Sequence, residues 1–290
     1  MVKPIIKWPG GKRQIINELL VRLPQTWNRY YEPFIGGGAL LINLYNTQRL
    51  FEATISDANE ELINLYRIIK TKPDELIESL KNITFTNSRK RYLQNRSAFN
   101  SMKGKKAFDV ERAAYFIYLN KHGFNGLWRV NKNGNFNVPF GRYRNPQLPT
   151  QDHIKALSQM LKNVAILHQD FEQTVSTVRR KDFIYFDPPY QPISSTSNFT
   201  DYQPGGFDFG NQARLAMVCR NLTKKGVFLM VSNSDSPQVI GLYKGFTIER
   251  ITANRAINSR PDRRSGILEL VITNYSINDQ LTCCCINNKI

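Results

Sequence analysis

The chain has 290 residues, 41% apolar and 22% charged, which is ordinary globular usage for one large domain or two and excludes disorder, collagen and a single coiled coil as global descriptions. No apolar run approaches the roughly 18 residues of a membrane helix, and Lys3 and Lys7 have no apolar stretch behind them, so neither a membrane span nor a signal peptide is expected. The formal net charge of +17 points to an anionic partner.

In chain order, Lys12–Leu23 predicts an amphipathic helix whose apolar face carries Ile15, Ile16, Leu19, Leu20 and Leu23. Tyr30–Ile35 predicts a strand, Gly36–Gly38 a turn, Ala39–Gln48 a second helix and Ala53–Asp57 a second strand. From about Glu60 to Arg144 the pattern is mostly helical. Glu61–Lys70, Asp74–Lys81 and Asp109–Lys121 are the helix candidates there, and Asn125–Arg144 reads as an ordered loop or hairpin. Alternation resumes with a helix at Asp152–Leu161, strands at Val164–His168 and Asp182–Asp187, and a helix at Gln212–Lys224. Val227–Ser232 is almost wholly apolar, as expected of a parallel strand buried on both faces. Gly245–Arg250 and Ile267–Asn274 predict a closing antiparallel pair. The expected class is α/β: a Rossmann-like, mostly parallel sheet with an antiparallel C-terminal strand, plus an inserted basic helical module. The expected domains are 1–59 with 151–279, an insert at 60–150, and a flexible tail at 280–290.

The window Thr86–Arg144 holds thirteen Lys and Arg against two acids, Asp109 and Glu111. Aromatic residues are interleaved through it, a composition that suits phosphates and bases. The competing description is a solvated basic surface over an aromatic core. His122 lies in this run as a candidate phosphate contact; His153 is expected at the surface and His168 in the core. Four cysteines, Cys219 and the adjacent Cys283, Cys284 and Cys285, fit neither a disulfide framework nor a zinc pattern. No His/Cys set has metal spacing, so no metal is expected. A reducing cytoplasmic compartment is expected. Arg255, Arg260, Arg263 and Arg264, in the last strand connection, are candidates to clamp phosphate.

Two constellations carry chemistry. Glu32-Pro33-Phe34-Ile35-Gly36-Gly37-Gly38 lies between a strand and a helix, where glycines admit a ligand to the backbone. Asp57 ends the next strand, nineteen residues after Gly38, where nucleotide-binding α/β folds place an acid for ribose hydroxyls. The turn lacks both G-x-G-x-x-G and G-K-[ST], which disfavours NAD and ATP and leaves a phosphate-free nucleoside. Trp8 and Lys12, within Lys7–Lys12, add a candidate ligand-binding segment. The second constellation, Asp187-Pro188-Pro189-Tyr190, follows a buried strand at its carboxyl end. Prolines stop the strand, leaving the Pro188 carbonyl and the Asp187 carboxylate as two acceptors for an amino group. Tyr190 offers a flat face to a base.

These residues, in this order, resemble the Dam-like (alpha-group) S-adenosyl-L-methionine-dependent DNA adenine-N6 methyltransferases. Lys7–Lys12, Ser56–Asn59, Phe124–Leu127, Asn137–Tyr143 and Asn198–Thr200 extend the similarity over Lys7–Tyr275. The resemblance implies that Trp8, Lys12, Phe34, Gly36, Gly38, Asp57, Asp170, Phe171 and Asp187 bind S-adenosyl-L-methionine. Asp187, Pro188, Pro189 and Tyr190 would act on a flipped adenine in double-stranded DNA. Domain 60–150 would recognise the target, with Phe124, Leu127, Arg129, Pro139 and Asn198 contacting DNA, and GATC is the implied site. Trp128 has no role fixed by the resemblance. A cognate restriction endonuclease is a candidate partner, and the expected cytoplasm is bacterial or archaeal, or a host's for a phage-type enzyme. An RNA adenine-N6 methyltransferase would share the catalytic turn, but the basic insert argues against it. A non-catalytic DNA-binding module would not need both intact turns, and a dehydrogenase would need G-x-G-x-x-G.

Overall fold

A computed structural model describes residues 1–49, 52–83, 87–102, 109–190, 207–253 and 267–276. Asn198, Arg255, Arg260, Arg263, Arg264, Cys283, Cys284, Cys285 and the expected tail lie outside the described residues. The strands are β1 (Tyr30–Glu32), β2 (Ala53–Asp57), β3 (Val164–His168), β4 (Phe183–Phe186), β5 (Phe228–Ser234), β6 (Thr247–Ala253) and β7 (Ile267–Thr273). Among the described residues these seven form one sheet in the order β3-β2-β1-β4-β5-β7-β6. β1 runs parallel to β2 and β4, and β4 to β5. β7 is reversed against both β5 and β6. The architecture is therefore the mostly parallel α/β sheet with an antiparallel C-terminal strand that the hydrophobic pattern predicts.

The chain divides into two compact units, one of Met1–Gly11, Gly36–Arg49 and Asp57–His168, the other of Lys12–Ile35, Leu50–Ser56 and Gln169–Ile290. In the second unit all four side chains of β4 are buried, as are all of β5 but Phe228. Phe186, Val231 and Leu270 meet Leu215 and Cys219 of the helix Phe209–Lys224 in one core. β4 and the opening of β5, Phe228–Val231, are apolar because helices cover both faces of a parallel sheet, whereas β5 closes on the buried polar residues Ser232, Asn233 and Ser234.

The first unit is largely helical. Asn59 and Asp109 cap the helices Glu60–Thr71 and Val110–His122 by accepting backbone N–H groups three residues on, each cap being worth about 1 kcal/mol. Arg112 grips Glu61 between these helices. A further helix, Arg89–Ser101, is absent from the sequence-based candidates. It buries only Tyr92, Asn95 and Phe99, a narrow stripe spaced three and four residues apart amid basic side chains. Against it lies the hairpin after Gly123, with antiparallel bridges Gly123↔Phe140 and Val130↔Phe136. Asn100 exchanges two hydrogen bonds with the Phe136 backbone (2.8 and 3.1 Å), and the Tyr92 hydroxyl donates to the Val138 carbonyl at 2.9 Å.

Four local expectations need correction. Lys12–Leu23 is not one helix but a 3-10 turn at Lys12–Gln14 followed by a helix at Ile16–Leu20. Lys12 is turned inward, and the Ile15 N–H closes on the Lys12 carbonyl at 3.1 Å in a tighter i→i+3 turn. The strand from Tyr30 ends at Glu32 because Pro33 has no N–H to donate. His168 is exposed rather than core, its Nε2 lying 3.1 Å from the Ala58 carbonyl. His122 is buried, stacked on Tyr118 at 4.1 Å with Nδ1 3.0 Å from the Tyr118 carbonyl, and burial lowers its pKa. It is a core histidine, not a phosphate contact.

Trp128 belongs to an aromatic core with Phe116 at 4.8 Å, Phe136 at 5.1 Å and Phe99 at 6.0 Å. Trp128→Ala is therefore expected to cost about 3–5 kcal/mol through lost burial and the cavity left behind. Urea denaturation with a midpoint unchanged from the parent would contradict this packing.

Candidate active site

The turn after β4 carries the buried charges. Lys12 Nζ lies 2.8 Å from Asp187 Oδ1 and 3.7 Å from Glu269 Oε2, with the Lys12 side chain 4% exposed. The same ammonium sits 4.4 Å from the centre of the Tyr190 ring. The Tyr190 hydroxyl donates to Glu269 Oε2 at 2.8 Å. Burial raises the Asp187 carboxyl to about 6; Lys12 pulls it down and Glu269 pushes it up. Burial, reinforced by Asp187 and Glu269, raises Tyr190 far above the ordinary phenol value, so its hydroxyl stays a donor. A fully buried glutamine braces the turn from the helix side. Gln212 Nε2 donates to the Pro189 carbonyl at 3.2 Å, and Asn233 Nδ2 donates to Gln212 Oε1 at 3.0 Å. Sequence reasoning missed Glu269, Gln212 and Asn233. Their partners are remote in the chain, and each reads alone as an ordinary polar residue.

Phe34 and Phe171 also belong to this second unit, stacked at 5.4 Å. Asp170 caps the short helix Phe171–Thr174 and is gripped by Arg214 at 2.8 and 2.9 Å. Its carboxylate thus already has a partner of opposite charge.

The glycine turn and Trp8 lie in the first unit. Gly36 has φ +46° and Gly38 φ +67°, a left-handed backbone that favours glycine. A Cβ at Gly36 would stand 2.7 Å from Trp8 Cδ1. The buried Asp57 clamps the turn: Oδ2 accepts the Gly36 N–H at 3.2 Å and Oδ1 the Asn59 N–H at 2.9 Å. Burial raises its carboxyl to about 6, and these N–H groups hold it from rising further. The Tyr66 hydroxyl donates to the Gly36 carbonyl at 2.9 Å.

The hairpin sorts its residues by face. Trp128, Phe136 and Val138 are buried, whereas Phe124, Arg129 and Pro139 are exposed and Leu127 is half-buried. The description of internally packed aromatics, which the Asn- and Gly-rich composition disfavours, therefore holds for one face. Arg129 is held in place by Asn137, through Nε to Oδ1 at 2.7 Å and Nη2 to the carbonyl at 3.2 Å. A guanidinium has five donors, so these two bonds do not exhaust it. Among the described residues no three of His, Cys, Asp and Glu gather as a metal-binding group, and no helix is long and apolar enough to cross a membrane.

Residues 8–257 match the family described as D12 class N6 adenine-specific DNA methyltransferase. A Type II methyltransferase of Lactococcus lactis subsp. cremoris, M1.LlaDCHI, is 44% identical over 276 residues, covering 94% of this chain and 96% of the relative. The Type II methyltransferase M.MjaIII of Methanocaldococcus jannaschii is 43% identical over 288 residues, with 94% and 99% covered. A DNA adenine methylase of Vibrio cholerae is 33% identical over 272 residues, with 93% and 95% covered.

The raised carboxyls have a consequence for stability. Between the ordinary value of 3.8 and about 6, the folded chain holds protons that the unfolded chain has released. Stability should therefore fall as pH rises through that window. Lys12→Met removes the group that lowers Asp187, so the Asp187 carboxyl should titrate above about 6. Carboxyl-carbon NMR finding it at or below that value would show that Lys12 does not set its charge.

Proposed function

Because the chain belongs to the D12 class of N6 adenine-specific DNA methyltransferases, we propose that its methyl donor is S-adenosyl-L-methionine, that its target adenine is flipped out of duplex DNA, and that its site is GATC. The activity itself, methylation of DNA adenine at N6, is that of the family. The observation that carries the assignment of the reacting groups is the turn Asp187–Tyr190 at the carboxyl end of β4, with Asp187 2.8 Å from a buried lysine.

The donor set fits a nucleoside sulfonium. Backbone N–H groups of Gly36, Ala58 and Asn59 face the Asp57 carboxylate, which has roughly four acceptor sites, so a ribose hydroxyl still finds one. Gly36 and Gly38 supply backbone without side chains, and Trp8 supplies an aromatic surface. Lys12, Phe34, Asp170 and Phe171 complete the proposed set. S-adenosyl-L-methionine, when bound, supplies a methyl already activated for transfer, its C–S bonding pair leaving on sulfur.

The chain's own residues do the rest. The exocyclic nitrogen of adenine is a poor nucleophile because its lone pair is delocalised into the ring. Asp187 and the Pro188 carbonyl accept its two N–H bonds and localise the pair on nitrogen; Pro189, pinned by Gln212, keeps the turn rigid. As the N–C bond forms, positive charge grows on N6, where a preorganised carboxylate stabilises it. N6 returns to neutrality by releasing one proton, for which Asp187 is the acceptor. Stacking on Tyr190 offsets part of the few kcal/mol that unpairing and unstacking cost.

The exposed face of the hairpin supports the specificity reading. Arg129 reads guanine O6 and N7, Leu127 and Pro139 meet a thymine methyl or a neighbouring base, and Phe124 wedges where the adenine leaves. Asn198 completes the contacts, and residues 60–150 form the recognition module. A restriction endonuclease with the same target is the proposed cellular partner; two relatives at 44% and 43% identity are named Type II methyltransferases.

Tritiated S-adenosyl-L-methionine should label duplex DNA and not single-stranded RNA. Methylation-sensitive sequencing of DNA from expressing cells should find GATC; another motif would sink that assignment. Arg129→Ala should lose about 1–3 kcal/mol of discrimination at the first guanine, whereas a uniform fall on all sequences would make it a phosphate contact. The rate of transfer should rise through pH of about 6 as Asp187 ionises, and a flat profile there would remove Asp187 from the reacting groups.

A further inference from the structure

We propose that Glu269 is a positioning residue for the catalytic turn, holding the Tyr190 hydroxyl and sharing the Lys12 ammonium so that one face of the Tyr190 ring is presented to the base. This rests on the function proposed above. Glu269 lies on β7 and pairs in register with Ser234, the last residue of β5. Because β7 is reversed, its opening residues lie at the carboxyl ends of the parallel strands, where Asp187 follows β4. Glu269 is 8% exposed, and a carboxylate is rarely buried without paired charge and hydrogen bonds. Both are present: Tyr190 Oη at 2.8 Å and Lys12 Nζ at 3.7 Å.

The geometry assigns each partner a task. The hydroxyl bond tethers the far end of the Tyr190 ring, fixing its tilt. Lys12 Nζ, 4.4 Å from the ring centre, covers one face. A flipped base therefore stacks on the other. Two carboxylates about one ammonium also keep the cluster net negative when both are ionised, which favours the positive charge that grows on N6. The groups facing Asp187 are Lys12, Glu269 and Tyr190, with Tyr30 and Tyr185 from β1 and β4. Glu32 lies beyond them, against Tyr30 and Tyr185.

The test compares Glu269→Gln, Glu269→Leu and Tyr190→Phe, using kcat, KM for duplex DNA, and the fluorescence of 2-aminopurine at the target position. Glu269→Leu and Tyr190→Phe should each lower capture of the flipped base, with transfer falling roughly 10- to 100-fold, the equivalent of one hydrogen bond to a charged group. Glu269→Gln keeps an acceptor for Tyr190 and should restore capture. Its rate profile should shift to lower pH, because a negative neighbour of Asp187 is gone. If Glu269→Leu does not fold, that pH shift in Glu269→Gln decides. Parental kinetics, fluorescence and pH midpoint in the Glu269 variants, with or without a loss of thermal stability, would overturn the proposal. Asp187→Ala separates the two levels: if it still turns over, the proposed function fails, whereas if it is inactive and the Glu269 variants are unchanged, only the role of Glu269 fails.

Discussion

A lysine ammonium that is 4% exposed survives in a folded chain only if carboxylates compensate its lost hydration. Lys12 meets this demand with Asp187 and Glu269, and that requirement organises much of the second unit. It accounts for the tight 3-10 turn where an even helix is predicted, since the side chain at the start of the segment must face inward. It keeps Asp187 in charge balance at the carboxyl end of the central strand β4, where burial raises its carboxyl to about 6. It also requires a carboxylate in β7, a strand otherwise dominated by Leu270, Val271 and Ile272, all fully buried. Apolar replacements of such clusters are often no less stable, so stability alone is a weak reason for these charges to be there.

Much of the fold is legible in the sequence because period and punctuation agree. β2 and β3 fall on the residues that alternation marks, and the prolines at 188 and 189 end β4 where their missing N–H groups dictate. The turn Asp187–Tyr190 is legible because its residues are contiguous. Glu269 is not: within Ile-Leu-Glu-Leu-Val-Ile-Thr a lone acid reads as a solvent-facing strand position, and its partner Tyr190 is 79 residues away. Gln212 is hidden in the same way, as one polar residue on a helix whose buried side contacts a turn. The helix Arg89–Ser101 is hidden for a different reason. Its charge run masks a three-residue stripe, and only the hairpin packed on that stripe makes it amphipathic in context.

That hairpin shows how one short segment carries two duties. Trp128, Phe136 and Val138 anchor it to a helical scaffold, and Tyr92 and Asn100 tie its backbone in place. Alternation along the strands then turns Arg129 and Pro139 outward. Composition alone cannot separate these faces, because Asn and Gly satisfy the loop geometry while the few large residues fill the core. The rigidity of the anchored face fixes the position of the guanidinium, which Asn137 further orients.

The reversed last strand also sets an order of events in time. The ammonium of the cluster belongs to the first turn of the chain and its second carboxylate to the last described strand. A ribosome delivers the lysine first and the glutamate 257 residues later. Until then Lys12 has no complete counter-charge and β5 no partner on its β7 side. Contacts between such distant residues also slow folding. The nascent enzyme is thus an unfinished sheet with an open edge, and its charge cluster is assembled only once β7 has been made.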